Sequence, residues 1–217
     1  MQLPQMIRVR QSFDTTRVAS VAAEVSAQLT ELDLGQTVQP GQTVAISAGS
    51  RGIANIAEII KAACDHIKTL GATPIIIPAM GSHGGGTAEG QRGIIESYGI
   101  TEDFTGAEIQ ASMETVIIDE TPQGIPVHFD KHASEADHVI VCGRVKPHTG
   151  FVGEIESGLH KMMLIGFGKH EGAKIYHRAI QDYSWLEIVT AVGEKVLEKC
   201  NVVAGLAIVE NAFDETA

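Results

Sequence analysis

With 217 residues, 44% of them hydrophobic and 20% charged, the chain has the make-up of an ordinary globular protein, long enough for one large α/β domain or a domain with a small appendage. A net charge of −11 argues against a nucleic-acid partner, which needs clustered Lys and Arg, and means that a small anionic substrate must be drawn by local cations. No apolar run approaches the roughly 20 residues of a membrane helix, and the opening MQLPQMIRVRQSFD lacks the basic-then-apolar order of a secretory leader.

In chain order, residues 43–48 (TVAISA) read as a buried strand, followed by the loop Gly49-Ser50-Arg51-Gly52. A helix is expected from about 53 to 70, because Ile53, Ile56, Ile60, Cys64 and Ile67 form a stripe of helical period and Gly71 stands at its C-cap. The next strand is 73–79 (TPIIIPA). A glycine-rich loop, GSHGGGT, leads into a helix at about 88–98 with Thr87 placed to cap it. Residues 115–119 and 125–130, around Pro122-Gln123-Gly124, predict a hairpin. The stretch 138–143 (HVIVCG) is another buried strand, left through the loop Arg144 to Thr149. Ser184 and Glu187 form a capping-box signature for a helix reaching about 199, and Asn201 to Glu210 is a final strand. The fold class is therefore α/β, a parallel-rich sheet with crossover helices.

The cysteines, Cys64, Cys142 and Cys200, are odd in number and widely spaced, with no CxxC pair. They are expected to be small buried apolar side chains in a reducing, cytoplasmic setting, and a structural zinc or iron–sulfur site has little support.

Chemistry concentrates in loops that follow strand ends, where open parallel sheets place their sites. These carry Arg51, His83, and the group Arg144, Lys146 and His148. His83, ahead of three glycines, is either an exposed loop histidine or one beside which a ligand can approach the backbone closely. The glycines also admit an anion nest, although neither GxGxxG nor the P-loop pattern is met. His148 follows Pro147, which fixes the backbone as suits a general base; a structural histidine is the alternative. Lys161 enters the apolar run Met162 to Ile165, so it either loses charge and becomes reactive or reaches out to solvent. Beyond the break at Gly166-Phe167-Gly168, His170 and His177 lie seven residues apart, about 10 Å along a helix. They cannot chelate one metal from a regular helix, so one is a ligand at most.

The order GSR (49–51), GSHGGG (81–86), VKPHTGFVGEIESGLHK (145–161) and YHRA (176–179) resembles the lactate racemase family, over roughly residues 40 to 217. The resemblance implies the Rossmann-like N-terminal half of a two-domain enzyme. The whole of 1–217 is then one cofactor-binding and catalytic domain, and its stop at Ala217, shortly past a strand, is expected to precede a C-terminal domain. It implies an isomerase that racemises or epimerises 2-hydroxy acids with a nickel-pincer nucleotide, a pyridinium mononucleotide whose two thio groups and one ring carbon hold nickel. Lys161 is similar to the lysine that bonds this cofactor and His177 to the histidine completing the nickel coordination. His83 and His148 match the paired catalytic histidines, and Arg51 a substrate-binding arginine. The implied partners are a small 2-hydroxy acid and the cofactor-building enzymes; a homo-oligomer is open, since the sequence does not name the oligomeric state, and composition has already argued against nucleic acid and membrane. The chain departs from the pattern at Ala48 and Gly52, where the family has an acidic residue and a proline, and in Glu156-Ser157-Gly158-Leu159-His160-Lys161, where a serine–glycine–glycine turn is usual. The substrate is thus open among 2-hydroxy acids, larger ones and sugar acids included. Two other classes remain: a nucleotide-linked oxidoreductase using the same loops with NAD and no metal, and a non-catalytic module that binds a cofactor or anion.

Overall fold

The computed structural model describes residues 6–148, 150 and 153–217. Helix α1 (Val21–Glu31) precedes strand β1 (Thr43–Ala48), helix α2 (Ile56–Thr69), strand β2 (Thr73–Pro78), helix α3 (Ala88–Ser97), the short helix α4 (Glu102–Thr105) and strand β3 (Glu108–Ile109). The hairpin β4 (Thr115–Glu120) and β5 (Pro126–Asp130) follows, then α5 (Lys131–Glu135) and β6 (His138–Arg144). The helical turn α6 (Leu159–Lys161), a π-helical turn at Met162–Gly166, α7 (Lys169–Ala179), α8 (Trp185–Lys199) and β7 (Val202–Ile208) complete the order. Caps explain the helix boundaries: Thr87 and Ser184 accept backbone N–H groups at the starts of α3 and α8, the latter with a full capping box. α2 begins three residues later than the apolar stripe suggests. Ile53 belongs to the turn before it, where Asn55 is left-handed and the Ala54 N–H is held by the Glu210 carboxylate at 2.6 Å.

The main sheet runs β3-β2-β1-β6-β7 and is parallel throughout; β4 and β5 form a separate antiparallel pair. Ile46 stands level with Ile76 on one side and Ile140 on the other. Successive residues of the central strands face opposite ways, and both faces are covered, so the strands are apolar without alternation. Ile46, Ile76 and Ile140 pack with α1, α2 and Ile95 of α3. Ala45, Ile75, Ile77, Val139 and Val141 pack instead with Phe129 of the hairpin, Phe167 and Val192 of α8. Three layers result, with the hairpin serving as part of the lid on the second face.

After β1 the chain turns toward β2 and β3; after β6 it turns the other way, to β7. The switch point lies between β1 and β6, and the crevice beyond their carboxyl ends is where such sheets bind ligands.

Candidate functional site

The loops leaving β1, β2 and β6 meet the α6–α7 segment around a cavity of about 510 Å³. Arg51, His83, His148, Lys161 and His177, picked from four separate stretches of sequence, all line it, as do Arg144 and Lys146. Part of the β6 loop, at Thr149, Phe151 and Val152, lies outside the described residues.

The β2 loop is shaped by close backbone approaches. Gly84 has φ +65°, and a Cβ there would stand 2.6 Å from the Gly90 carbonyl carbon, so the GGG stretch can lie directly on the first turn of α3 only as glycine. Gln91, fully buried in that turn, donates from Nε2 to the carbonyls of Gly81 (2.8 Å) and His83 (3.2 Å). Seven residues on, the Tyr98 hydroxyl donates to the Ser50 carbonyl at 2.7 Å, and the Ser50 hydroxyl is hydrogen-bonded to Nδ1 of His83. One helix therefore braces both the arginine loop and the histidine loop. His148 is held differently: its N–H donates to the Glu156 carboxylate (2.9 Å), and its Nδ1 accepts the Gly150 N–H (3.0 Å).

Lys161 is aimed by what surrounds its neighbours. Leu159 fits against Gly205 of β7 and His160 against Gly193 of α8; a Cβ at either glycine would come within 2.5 Å and 2.8 Å of those side chains. The turn after Lys161 is wide, with the Phe167 N–H donating to the Met162 carbonyl at 2.9 Å, and such π turns recur at functional sites. Met162 itself reaches β6 at Gly143, where a Cβ would stand 2.6 Å from its Cγ. The chain then returns through α7, whose exposed His177 faces the cavity. His170 lies elsewhere, beside Gly86, and is not among the lining residues.

Electrostatics set this cavity apart from an acidic protein. Burial, then Arg51 and Lys161, hold His83 below the ordinary histidine value. His148 is lowered by burial, then by Lys161, Lys146 and Arg51, with Glu156 opposing. Burial first, then Arg51 and Lys146, lower Lys161. Arg144 is tied to the carboxylate of the half-buried Glu210. Arg51, Lys146 and Lys161 have no carboxylate within ion-pair reach among the described residues, so the cavity presents uncompensated positive charge. It suits an anion carrying a group that neutral imidazoles can deprotonate. No cluster of three or more His, Cys, Asp and Glu that could hold a metal occurs among the described residues.

Sequence reasoning missed several groups behind the cavity. Lys169, at φ +52° and fully buried, pairs with Asp130 at 2.9 Å and donates to the Pro78 carbonyl, joining α7, the hairpin and the end of β2. Trp185 lines the cavity and donates from its indole to the Ile155 carbonyl at 2.7 Å. Gln91 and Tyr98 carried a weak signal, seven residues apart on one helix face; nothing local marks Lys169 as buried.

Residues 4–186 match the family model described as the lactate racemase N-terminal domain. No curated protein matches the sequence. The fold is similar to the structure of the lactate racemase apoprotein from Thermoanaerobacterium thermosaccharolyticum, with a TM-score of 0.65 and 14% identity, over 93% of this chain and 51% of that one. The chain thus spans about half the length of that structure, and a likeness at this identity speaks for the fold. With most of its residues inside the family model, the chain belongs to the lactate racemase N-terminal domain family.

Proposed function

We propose that the chain is the cofactor-binding and catalytic domain of a racemase or epimerase of 2-hydroxy acids, completed by a C-terminal domain. The observation carrying this reading is the convergence of Arg51, His83, His148, Lys161 and His177 on one cavity, where Arg51, Lys146 and Lys161 have no carboxylate within ion-pair reach among the described residues. The nickel-pincer nucleotide fits these residues. It brings its own chelating donors, so one anchor and one imidazole suffice, and Lys161 and His177 are available for those roles. Lys161 is half-buried with its ammonium disfavoured, as an amine that forms a covalent bond should be. When bound, the group supplies a carbon that takes and returns hydride.

The chain's own residues do the rest. Arg51, exposed on the cavity wall, binds the substrate carboxylate, in a two-pronged pair where geometry permits. His83, neutral near pH 7, would take the hydroxyl proton as the Cα–H is given up to that carbon, which would leave the 2-keto acid. His148, the second imidazole on the cavity wall, would hold the oxygen's proton when the opposite enantiomer is the substrate, so that each enantiomer has its own base. For His148 to accept a proton at Nε2, the Gly150 N–H must release Nδ1, so the two histidines start from different states.

Co-expression with the cofactor-building enzymes, followed by intact mass and nickel analysis, tests this. Wild type should gain mass and bind nickel. Lys161→Ala should lose the added mass; His177→Ala should keep it and hold nickel more weakly; His170→Ala should match wild type. An unmodified Lys161 under these conditions, or tight binding of free NAD without metal, would overturn the reading in favour of a different sheet-edge chemistry.

A further inference from the structure

We propose that Ser50 is a positioning residue that accepts the Nδ1–H of His83, leaving the Nε2 lone pair directed at the cavity. The inference rests on the reading of His83 as the base and goes beyond it to what prepares that base. A neutral imidazole carries one N–H, and which nitrogen holds it decides whether the other accepts or donates. The Ser50 hydroxyl is bonded to Nδ1, and a hydroxyl can serve either role. The surroundings settle which. Arg51 and Lys146 on the cavity wall, with Lys161 beside them, turn positive charge and donors toward the ring, so a lone pair at Nε2 is favoured there over an N–H dipole pointing its positive end at them. Proton placement on Nδ1, with Ser50 as acceptor, satisfies both nitrogens.

Ser50 is also fixed where this role requires. Tyr98, at the C-cap of α3, holds its carbonyl and Gln91 of α3 holds the carbonyl of His83, so one helix braces the backbone on both sides of this contact. His148 makes the contrast: its Nδ1 accepts from Gly150, which places a neutral ring's proton on Nε2. The resting site then offers one accepting and one donating imidazole.

Long-range ¹H–¹⁵N spectra of the imidazole side chains, above the histidine titration range, read the tautomer directly and need no cofactor. Wild-type His83 should be the Nδ1–H form, Ser50→Ala should shift it toward Nε2–H, and Ser50→Thr, which keeps the hydroxyl, should retain the wild-type form. In the nickel-loaded enzyme Ser50→Ala should lower kcat by about 10- to 100-fold with KM little changed, the range for groups that orient a reacting ligand, and Ser50→Thr should recover most of it. A wild-type Nε2–H tautomer, or a tautomer that Ser50→Ala leaves unmoved, overturns the inference. Unchanged racemisation by His83→Ala would instead overturn the functional reading, whatever the spectra show.

Discussion

His83 and His148 stand in the same cavity under the same cations, but with different partners, and this shapes what each substitution should do. Burial is the first cause lowering both, so both are neutral at pH 7, His148 becoming a base once Gly150 releases its Nδ1. Activity that needs the neutral ring is complete above the folded-state value and is lost as pH falls through it. That value lies below the usual ~6.5, so the acid limb of kcat/KM should fall below pH 6.5. A limb above 6.5 would mean that neither imidazole sets it. His83→Ala and His148→Ala should each slow racemisation by about 100-fold or more in the loaded full-length enzyme, the size expected for losing a general base. Wild-type rates in either variant remove that histidine from the chemistry.

At the scale of elements, the joint between α7, β5 and the end of β2 is made by one ion pair. Lys169 and Asp130 are both fully buried, and Asp130 also caps α5 by accepting the Ala133 N–H at 2.8 Å. Desolvation disfavours the ammonium even with the carboxylate beside it. A pair in this position adds little over an apolar replacement, but a lone survivor is costly. Lys169→Met should therefore destabilise by about 3–5 kcal/mol, as should Asp130→Asn, which retains an oxygen for the cap. The double variant should cost clearly less than the two together. A urea-denaturation double-mutant cycle measures this, and strict additivity would show that the two charges do not act as a pair.

Across the whole molecule, the acidic balance and the positive cavity coexist because the carboxylates beside the cavity are engaged, Glu210 with Arg144 and Glu156 with the His148 N–H, and most of the others lie elsewhere. Many are in surface pairs such as Lys61–Asp65 and Lys195–Asp119, which contribute little to stability. The fold also disposes of its thiols. Cys64, Cys142 and Cys200 are free and buried, each pushed up to about 12 by that burial. The native protein should therefore resist thiol reagents at pH 8 while all three cysteines react in denaturant. Fast labelling of any of them without denaturant would show that its segment opens locally. No helix among the described residues is long and apolar enough to cross a membrane.

Periodicity and caps decided the central strands, the hairpin and three of the helices from sequence alone, while α1, α4, α5, α7 and β3 were not marked. The apolar runs at 43–48, 73–79 and 138–143 are strands, the hairpin lies where its turn signals put it, and Thr87 and Ser184 begin the helices they were expected to begin. These depend on contacts within a few residues, which a single sequence exposes. The loop residues Arg51, His83 and His148, with Lys161 and His177, were legible as chemistry-bearing groups, but their meeting was conditional on β1, β2 and β6 being neighbours. Only the strand order supplied that condition. The same holds for the groups that prepare the site. Ser50 meets His83 across 33 residues, Tyr98 meets Ser50 across 48, and Lys169 meets Pro78 across 91. α2 likewise starts late because Ala54 is held by Glu210, 156 residues away. Contacts of that span leave no local pattern, because they are fixed by how the layers pack and by which buried polar groups must find partners there.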